Sequence, residues 1–182
     1  PEGTHSFHAL VDKAPETADI EDVADDDLAA LIYTAGTTGQ SKGVMLTHGS
    51  LYANSKMSYE STKMPHGMTN ITVLPLCHAY GIAVANSGLF YERTKSIILN
   101  TFDLETIYAS IDKYDAKLVA LVPTMYVFML MYPDPNKHDL SRVKYWLCGS
   151  APLSQVTWKQ FHERFGGKIY EGWGLSESGA SG

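Results

Sequence analysis

Cysteine is scarce in this chain. Of 182 residues only Cys77 and Cys148 carry a thiol. Two cysteines make no disulfide framework and show no zinc-ligand spacing. A single bridge is open to them, but reduced thiols in a cytoplasmic protein are the better expectation. Basic charge is also short: 14 Lys and Arg stand against 20 Asp and Glu, for a formal net charge of −6. That balance argues against a nucleic-acid partner and leaves no basic patch for a membrane surface. Long apolar runs are missing too. The longest, Leu118 to Tyr132, contains Pro123 and is too short to span a bilayer, so no transmembrane segment is expected. Pro1 to His8 lacks the apolar core of a signal peptide. There are no internal repeats and no low-complexity tracts. Asn70-Ile71-Thr72 spells a glycosylation acceptor, but without a secretory context it reads as coincidence.

What is present is a globular composition, 45% hydrophobic, long enough for one domain with a core. Residues 1–27 are polar and acidic, ending in Asp25-Asp26-Asp27, and read as a solvated lead-in to a core over 28–182. Within that core, strand-like and helix-like stretches alternate. Leu28 to Thr34 is a compact apolar run that ends in a glycine-rich loop, and Val44 to Thr47 suits a short second strand. His48 to Lys63 has helical character with Thr47 as N-cap. Ile71–Leu74 reads as a strand, His78–Glu92 as a helix and Ser96–Leu99 as a strand. In Asp103–Tyr114 the residues Leu104, Ile107, Tyr108 and Ile111 recur at helical spacing. Leu118–Val122 reads as a buried strand, and Pro123 opens the following helix at a favoured first-turn position. Val143–Leu147 is strand-like, Ser154–Phe165 is a helix stopped by Gly166-Gly167, and Lys168–Tyr170 starts a last strand. This order predicts an α/β fold, a mainly parallel sheet flanked by helices with right-handed crossovers. Ligands of such sheets sit beyond the C-terminal ends of the strands. The candidate motifs all follow strand-like runs, so they are expected to meet at one edge.

The densest motif is Tyr33-Thr34-Ala35-Gly36-Thr37-Thr38-Gly39-Gln40-Ser41-Lys42-Gly43. Glycines allow backbone N–H groups to turn around an anion, hydroxyls add donors, and Lys42 adds a point charge. The pattern is a phosphate grip, but not a Walker A loop, whose glycines are spaced more widely. The loop resembles the phosphate-binding signature of adenylate-forming enzymes, the superfamily of acyl-CoA and aryl-CoA synthetases, peptide-synthetase adenylation domains and beetle luciferases. Ala35 stands where Ser is common there, and Ser41 where Pro is common. Three further stretches resemble that superfamily in the same order. They are Leu74-Pro75-Leu76-Cys77-His78-Ala79-Tyr80-Gly81, Cys148-Gly149-Ser150-Ala151-Pro152-Leu153 and Tyr170-Glu171-Gly172-Trp173-Gly174-Leu175-Ser176-Glu177.

The resemblance, which is most like an acyl-CoA synthetase, implies roles. Thr34, Gly36, Thr37, Thr38, Gly39 and Lys42 would embrace the β- and γ-phosphates of ATP. His78 would lie near the carboxylate substrate, with the adjoining helix lining an acyl pocket. Ser150, Ala151 and Pro152 would present backbone to the adenine and the acyl chain, with Ser150 narrowing the acyl tunnel. Glu171, Gly172, Trp173 and Gly174 belong to the adenine-side turn, where Trp173 offers a stacking face. Ser176 would keep a hydroxyl for the α-phosphate, and Glu177 would hold Mg²⁺, which prefers hard oxygen ligands. The implied reaction joins a carboxylic acid to the α-phosphate of ATP and then passes the acyl group to coenzyme A. No acid stands beside His78 to pair with a substrate ammonium, so an unsubstituted acid fits better than an amino acid. A fatty acid is preferred over an aryl acid, and luciferase-type oxidation and a non-catalytic nucleotide-binding module stay open. The family's ribose-binding Asp and its C-terminal domain with a catalytic Lys lie outside this stretch. The chain, which begins without Met and stops just after a motif, is therefore expected to be a piece of a longer enzyme. It is expected to bind nucleotide weakly and not to turn over alone. Its oligomeric state is not readable.

Overall fold

The structure, a computed structural model, describes residues 3–35, 39–86, 93–134 and 137–180. Its strands are β1 (Leu28–Thr34), β2 (Lys42–Thr47), β3 (Thr69–Thr72), β4 (Lys95–Ile98), β5 (Leu118–Leu121), β6 (Tyr145–Cys148) and β7 (Lys168–Glu171). The helices are α1 (Phe7–Val11), α2 (His48–Thr62), α3 (Ala79–Asn86), α4 (Leu104–Tyr114), α5 (Pro123–Met131) and α6 (Gln155–Phe165). β3 to β7 form one five-stranded sheet in the order β4-β3-β5-β6-β7, and every pairing in it is parallel. The α/β architecture expected from the alternation is the one observed.

The central strand explains the layering. Leu118, Val119, Ala120 and Leu121 are all 3% exposed or less. A short continuous apolar run of this kind suits a strand covered on both faces. Successive side chains point to opposite faces. Val119 and Leu121, with Ile71 and Trp146, pack into the core made by Ile107 of α4, Tyr126 of α5 and Phe161 of α6. Leu118 and Ala120 face the other way, toward Met64 after α2 and Val84 of α3. Three helices therefore cover one face and two the other. Burial of side chains this size contributes about 1.5–3 kcal/mol each.

Helix starts follow local chemistry. Thr47 caps α2 reciprocally: the Ser50 N–H donates to Thr47 Oγ1 at 3.2 Å and the Thr47 N–H to Ser50 Oγ at 3.0 Å. Asp103 accepts from the Thr106 N–H at 2.8 Å to open α4, and Ser154 from the Thr157 N–H at 3.0 Å to open α6. Pro123 is the first residue of α5, and Gly166 closes α6 at φ 65°.

Two details differ from the sequence expectations. β1 does not join the parallel sheet; it pairs antiparallel with β2, so the phosphate-grip sequence links the two strands of a hairpin. The acidic lead-in is exposed throughout its described length, yet it contains α1 and its end meets the start of α2. The His48 N–H donates to the Asp27 carbonyl at 3.1 Å and the Gly49 N–H to the Asp25 carbonyl at 2.8 Å. These bonds satisfy amides that a helix start leaves without internal partners. Asn70 of the sequon is only 1% exposed inside β3, in keeping with the reading of that sequon as coincidence. α3 is described as far as Asn86; the rest of the helix expected to reach Glu92 lies outside the described residues. Both cysteines are free, Cys77 exposed and Cys148 buried. Among the described residues no helix is long and apolar enough to cross a membrane.

Two predictions follow from packing and charge. A Cβ at Gly81 would stand 2.2 Å from the Pro75 carbonyl oxygen and 2.8 Å from its carbon, both backbone atoms that hold the strand-to-α3 turn. Gly81→Ala is expected to destabilise by roughly 2–3 kcal/mol, an overpacking cost, read as a drop of several degrees in Tm. On the outer face, Glu105 of α4 accepts hydrogen bonds from Lys137 and Tyr132, and His138 bridges Glu105 and Asp112. The Lys137 bond first, then that of Tyr132, hold the Glu105 carboxyl down at about 2. A carboxyl depressed in the folded state stabilises fully above its unfolded value, about 4.3, and loses that contribution as pH falls toward about 2. The urea midpoint should fall through that window, and less steeply in Lys137→Ala.

Candidate functional site

Parallel strands deliver their C-terminal ends to one edge, and three of the four motifs lie there. Leu74–Gly81 follows β3, Gly149–Leu153 follows β6 and Gly172–Glu177 follows β7. Two contacts bind the last two turns together. The Gly172 N–H donates to the Cys148 carbonyl at 2.8 Å, and Glu171 Oε2 accepts from the Leu153 N–H at 3.1 Å. Glu171 thus spans from one motif to the other. Its charge also adds to burial in pushing the Cys148 thiol up to about 12, so that sulfur stays protonated and is no nucleophile.

The β1–β2 hairpin reaches the same region by another route. Thr34 and Lys42 are register partners at its loop end, and Lys42 is exposed. Gly39 has φ 82°, a left-handed conformation that favours glycine. Gly36, Thr37 and Thr38 lie outside the described residues. β2 packs against the 3-10 turn Ser176–Ser178, which carries exposed Glu177. Asn54 of α2 fixes that turn by donating Nδ2–H to the Ser178 carbonyl at 2.9 Å, and Ala180 inserts beside Ile32, Leu46 and Ala79. The lysine-bearing strand and the glutamate-bearing turn are therefore neighbours although far apart in sequence.

His78 immediately precedes α3 and is exposed. Its Nδ1 accepts from the Tyr80 N–H at 3.2 Å, which leaves Nε2 to carry the ring proton in the neutral form. Tyr80 itself turns inward. Its hydroxyl donates to the Leu121 carbonyl at 3.4 Å, and burial raises its phenol well above the usual range. The ring lies across the backbone of Gly149, where a Cβ would come within 2.9 Å of it. Glycine is required at that position by this contact.

Behind Tyr80 a cleft of about 480 Å³ runs between α2, α3 and the sheet. Its mouth is lined by Tyr80, Cys148, Glu171, Gly172 and Trp173. Farther in, Met57, Ala83, Val84, Leu147 and Tyr170 make an apolar wall. Met64, Leu118 and Asn70 close it toward the N-terminal ends of the strands. The volume is ordinary for a small-molecule site.

Among the residues singled out from sequence, Glu171, Gly172 and Trp173 line this cleft. Ser150, Ala151 and Pro152 are exposed on their turn and are not among the residues that line it. Ser150 instead adopts φ 70°, a left-handed conformation. Gly174 is exposed and Ser176 half-buried at the start of the 3-10 turn. Two exposed carboxylates lie here, Glu171, which already accepts from the Leu153 N–H, and Glu177; among the described residues no cluster of three or more metal-ligating side chains forms. One carboxylate suits Mg²⁺, which commonly completes its shell with phosphates and water. Tyr80 and Asn54 were missed in the sequence. Tyr80 stood inside a motif, but Asn54 left no signal, because its role depends on a partner 124 residues away.

Residues 2–182 match the family described as AMP-binding enzyme. The chain is 37% identical over 162 residues to the peroxisomal OPC-8:0-CoA ligase 1 of Arabidopsis thaliana, covering 87% of this chain and 30% of that protein. It is 38% identical over 155 residues to a long-chain-fatty-acid–CoA ligase of Bacillus subtilis (strain 168), covering 84% of this chain and 28% of that protein. The chain thus spans less than a third of the length of these two relatives. In structure it superposes on apo MatB of Rhodopseudomonas palustris with a TM-score of 0.83 at 33% identity, over 97% of this chain and 35% of that one. With a family match across nearly its whole length, and its motifs gathered at one edge of a parallel sheet, the chain belongs to the AMP-binding, adenylate-forming enzyme family.

Proposed function

We propose that this chain is the ATP-gripping and acid-binding part of an acid–thiol ligase. In this reading a carboxylic acid, a fatty acid, attacks the α-phosphate of ATP to give an acyl-adenylate and pyrophosphate. In a second step the thiol of coenzyme A loses its proton and takes the acyl group, and AMP leaves as the acyl–phosphate bond breaks. The observation that carries the proposal is the apolar cleft opening directly at the Tyr80, Gly172 and Trp173 edge, beside the turn that holds Glu177. Acid and nucleotide sites then share one border, as the reaction needs. The names of the relatives above, both CoA ligases, support the same class.

Each group has a task that suits its placement. Lys42 and the hairpin backbone hold the β- and γ-phosphates and offset charge on departing pyrophosphate. His78 donates Nε2–H toward the acid's carboxylate and holds it in line. Trp173, 70% exposed, offers its face to the adenine. Ser176 places a hydroxyl toward the α-phosphate. Glu177 would hold Mg²⁺, whose charge neutralises the phosphates when bound. The backbone of Ser150, Ala151 and Pro152 borders the nucleotide, and Glu171 keeps that turn against Gly172.

Calorimetric titration of Mg-ATP into the chain tests the grip. Lys42→Ala should weaken binding about tenfold or more, since a charged hydrogen bond is lost. Binding unchanged in Lys42→Ala would overturn the phosphate role. Glu171→Ala should also weaken it, with far-UV circular dichroism unchanged, because the Leu153 amide loses its partner and the two turns part. In Glu171→Gln, which keeps an acceptor oxygen, binding should be largely restored.

A further inference from the structure

The inner end of the cleft is not built for a bare hydrocarbon. Asn70 lies there on β3, and only 1% of it is exposed. Its Oδ1 has no hydrogen-bond partner among the described residues. A buried amide oxygen left unpaired bears its full desolvation cost, and leucine or valine would fill a β-strand site without that cost. Ser96, its register partner on β4, shares the same face of the sheet, and its Oγ is also buried without a partner. Asn70 thus brings an unpaired amide oxygen to the inner end of a slot whose walls are mostly apolar. From across the slot, Ser61 and Thr62 of α2 line the same cleft. Their hydroxyl protons are given to the Ser58 carbonyl, at 3.0 and 2.8 Å, so only their oxygen lone pairs remain to face inward. Neither of these two hydroxyls is free to donate to Asn70 Oδ1.

We infer that the cleft takes an aliphatic acid whose far end carries a hydroxyl, hydrogen-bonded by Asn70. This deepens, and rests on, the acid-activation reading above. A hydroxyl donates to Oδ1 and accepts in turn, so it satisfies an amide that offers both functions. The span is set by the register. Leu118 pairs with Asn70 at the inner end, and Leu121 pairs with Cys148 at the mouth. Three residue steps along a parallel strand cover about 10 Å. At about 1.25 Å of advance per carbon–carbon bond, that length suits a chain of roughly eight to ten carbons.

The test titrates ω-hydroxydecanoate and decanoate into the chain, read by Trp173 fluorescence and by the NMR signals of the Asn70 side-chain amide. The hydroxy acid should bind about tenfold tighter than decanoate, the usual effect of pairing a buried polar group. It should shift the Asn70 amide resonances, whereas decanoate leaves them in place. In Asn70→Leu the preference should vanish or reverse. Should that variant fail to fold, the amide shifts in the unaltered chain decide by themselves. Equal affinity for the two acids, with the Asn70 signals unmoved, would overturn the hydroxyl inference and leave the acid reading standing. Binding of neither acid while Mg-ATP still binds through Lys42 would overturn both. Tighter binding of the hydroxy acid with unmoved Asn70 signals would assign the hydroxyl to another group and overturn the role of Asn70.

Discussion

Everything in this molecule that bears on chemistry hangs from the parallel pairing of β5 with β3 and β6. Parallel ladders run all strands the same way, so each strand ends at the same border. The turns after β3, β6 and β7 then have no choice but to meet. β5 is the strand that enforces this arrangement. With every one of its side chains buried, it has no solvated face and cannot act as an edge. Removing it from the centre would expose apolar surface on both sides at once.

The two-residue repeat of the strands then divides labour between the faces. Odd-numbered positions of β3 and β5 (Ile71, Val119, Leu121) meet α4, α5 and α6 in a close-packed core. Even-numbered positions (Asn70, Leu118, Ala120) meet the looser cover of α2 and α3, where the cleft lies. A one-residue slip would exchange the faces and put Asn70 into the core. The geometry of the site and the stability of the fold are thus set by the same register. Where the backbone is pressed hardest, at Gly81 against Pro75 and at Gly149 under Tyr80, the motif glycines serve close packing, not ligand contact alone.

Local pattern made most of the elements legible. The helical spacing of Leu104, Ile107, Tyr108 and Ile111, the Thr47, Asp103 and Ser154 caps, and Pro123 at a helix start are short-range signals, and the elements stand where those signals place them. Strand bounds drifted by one or two residues, as with Val143, which lies just before β6, because propensity does not say where ladder bonds end. The antiparallel partner of β1 was only half legible. A strand that ends in a glycine loop has the same composition whether the chain returns as a hairpin or crosses over.

The site divides along the same line. Sequence by itself determined which residue types are available: the glycines, hydroxyls and Lys42 of the hairpin, His78, and the Trp173 to Glu177 stretch. It also determined their order along the chain, and with it the family resemblance. Tertiary structure decided who meets whom. It placed the Lys42 strand beside the Glu177 turn, linked Glu171 to Leu153, kept Ser150 out of the cleft, and set Asn70 with its unpaired oxygen at the inner end. The physical reason is separation. Caps, turns and periodicity act over three or four residues and are written in adjacent letters, whereas these contacts join residues that only the sheet's register brings together.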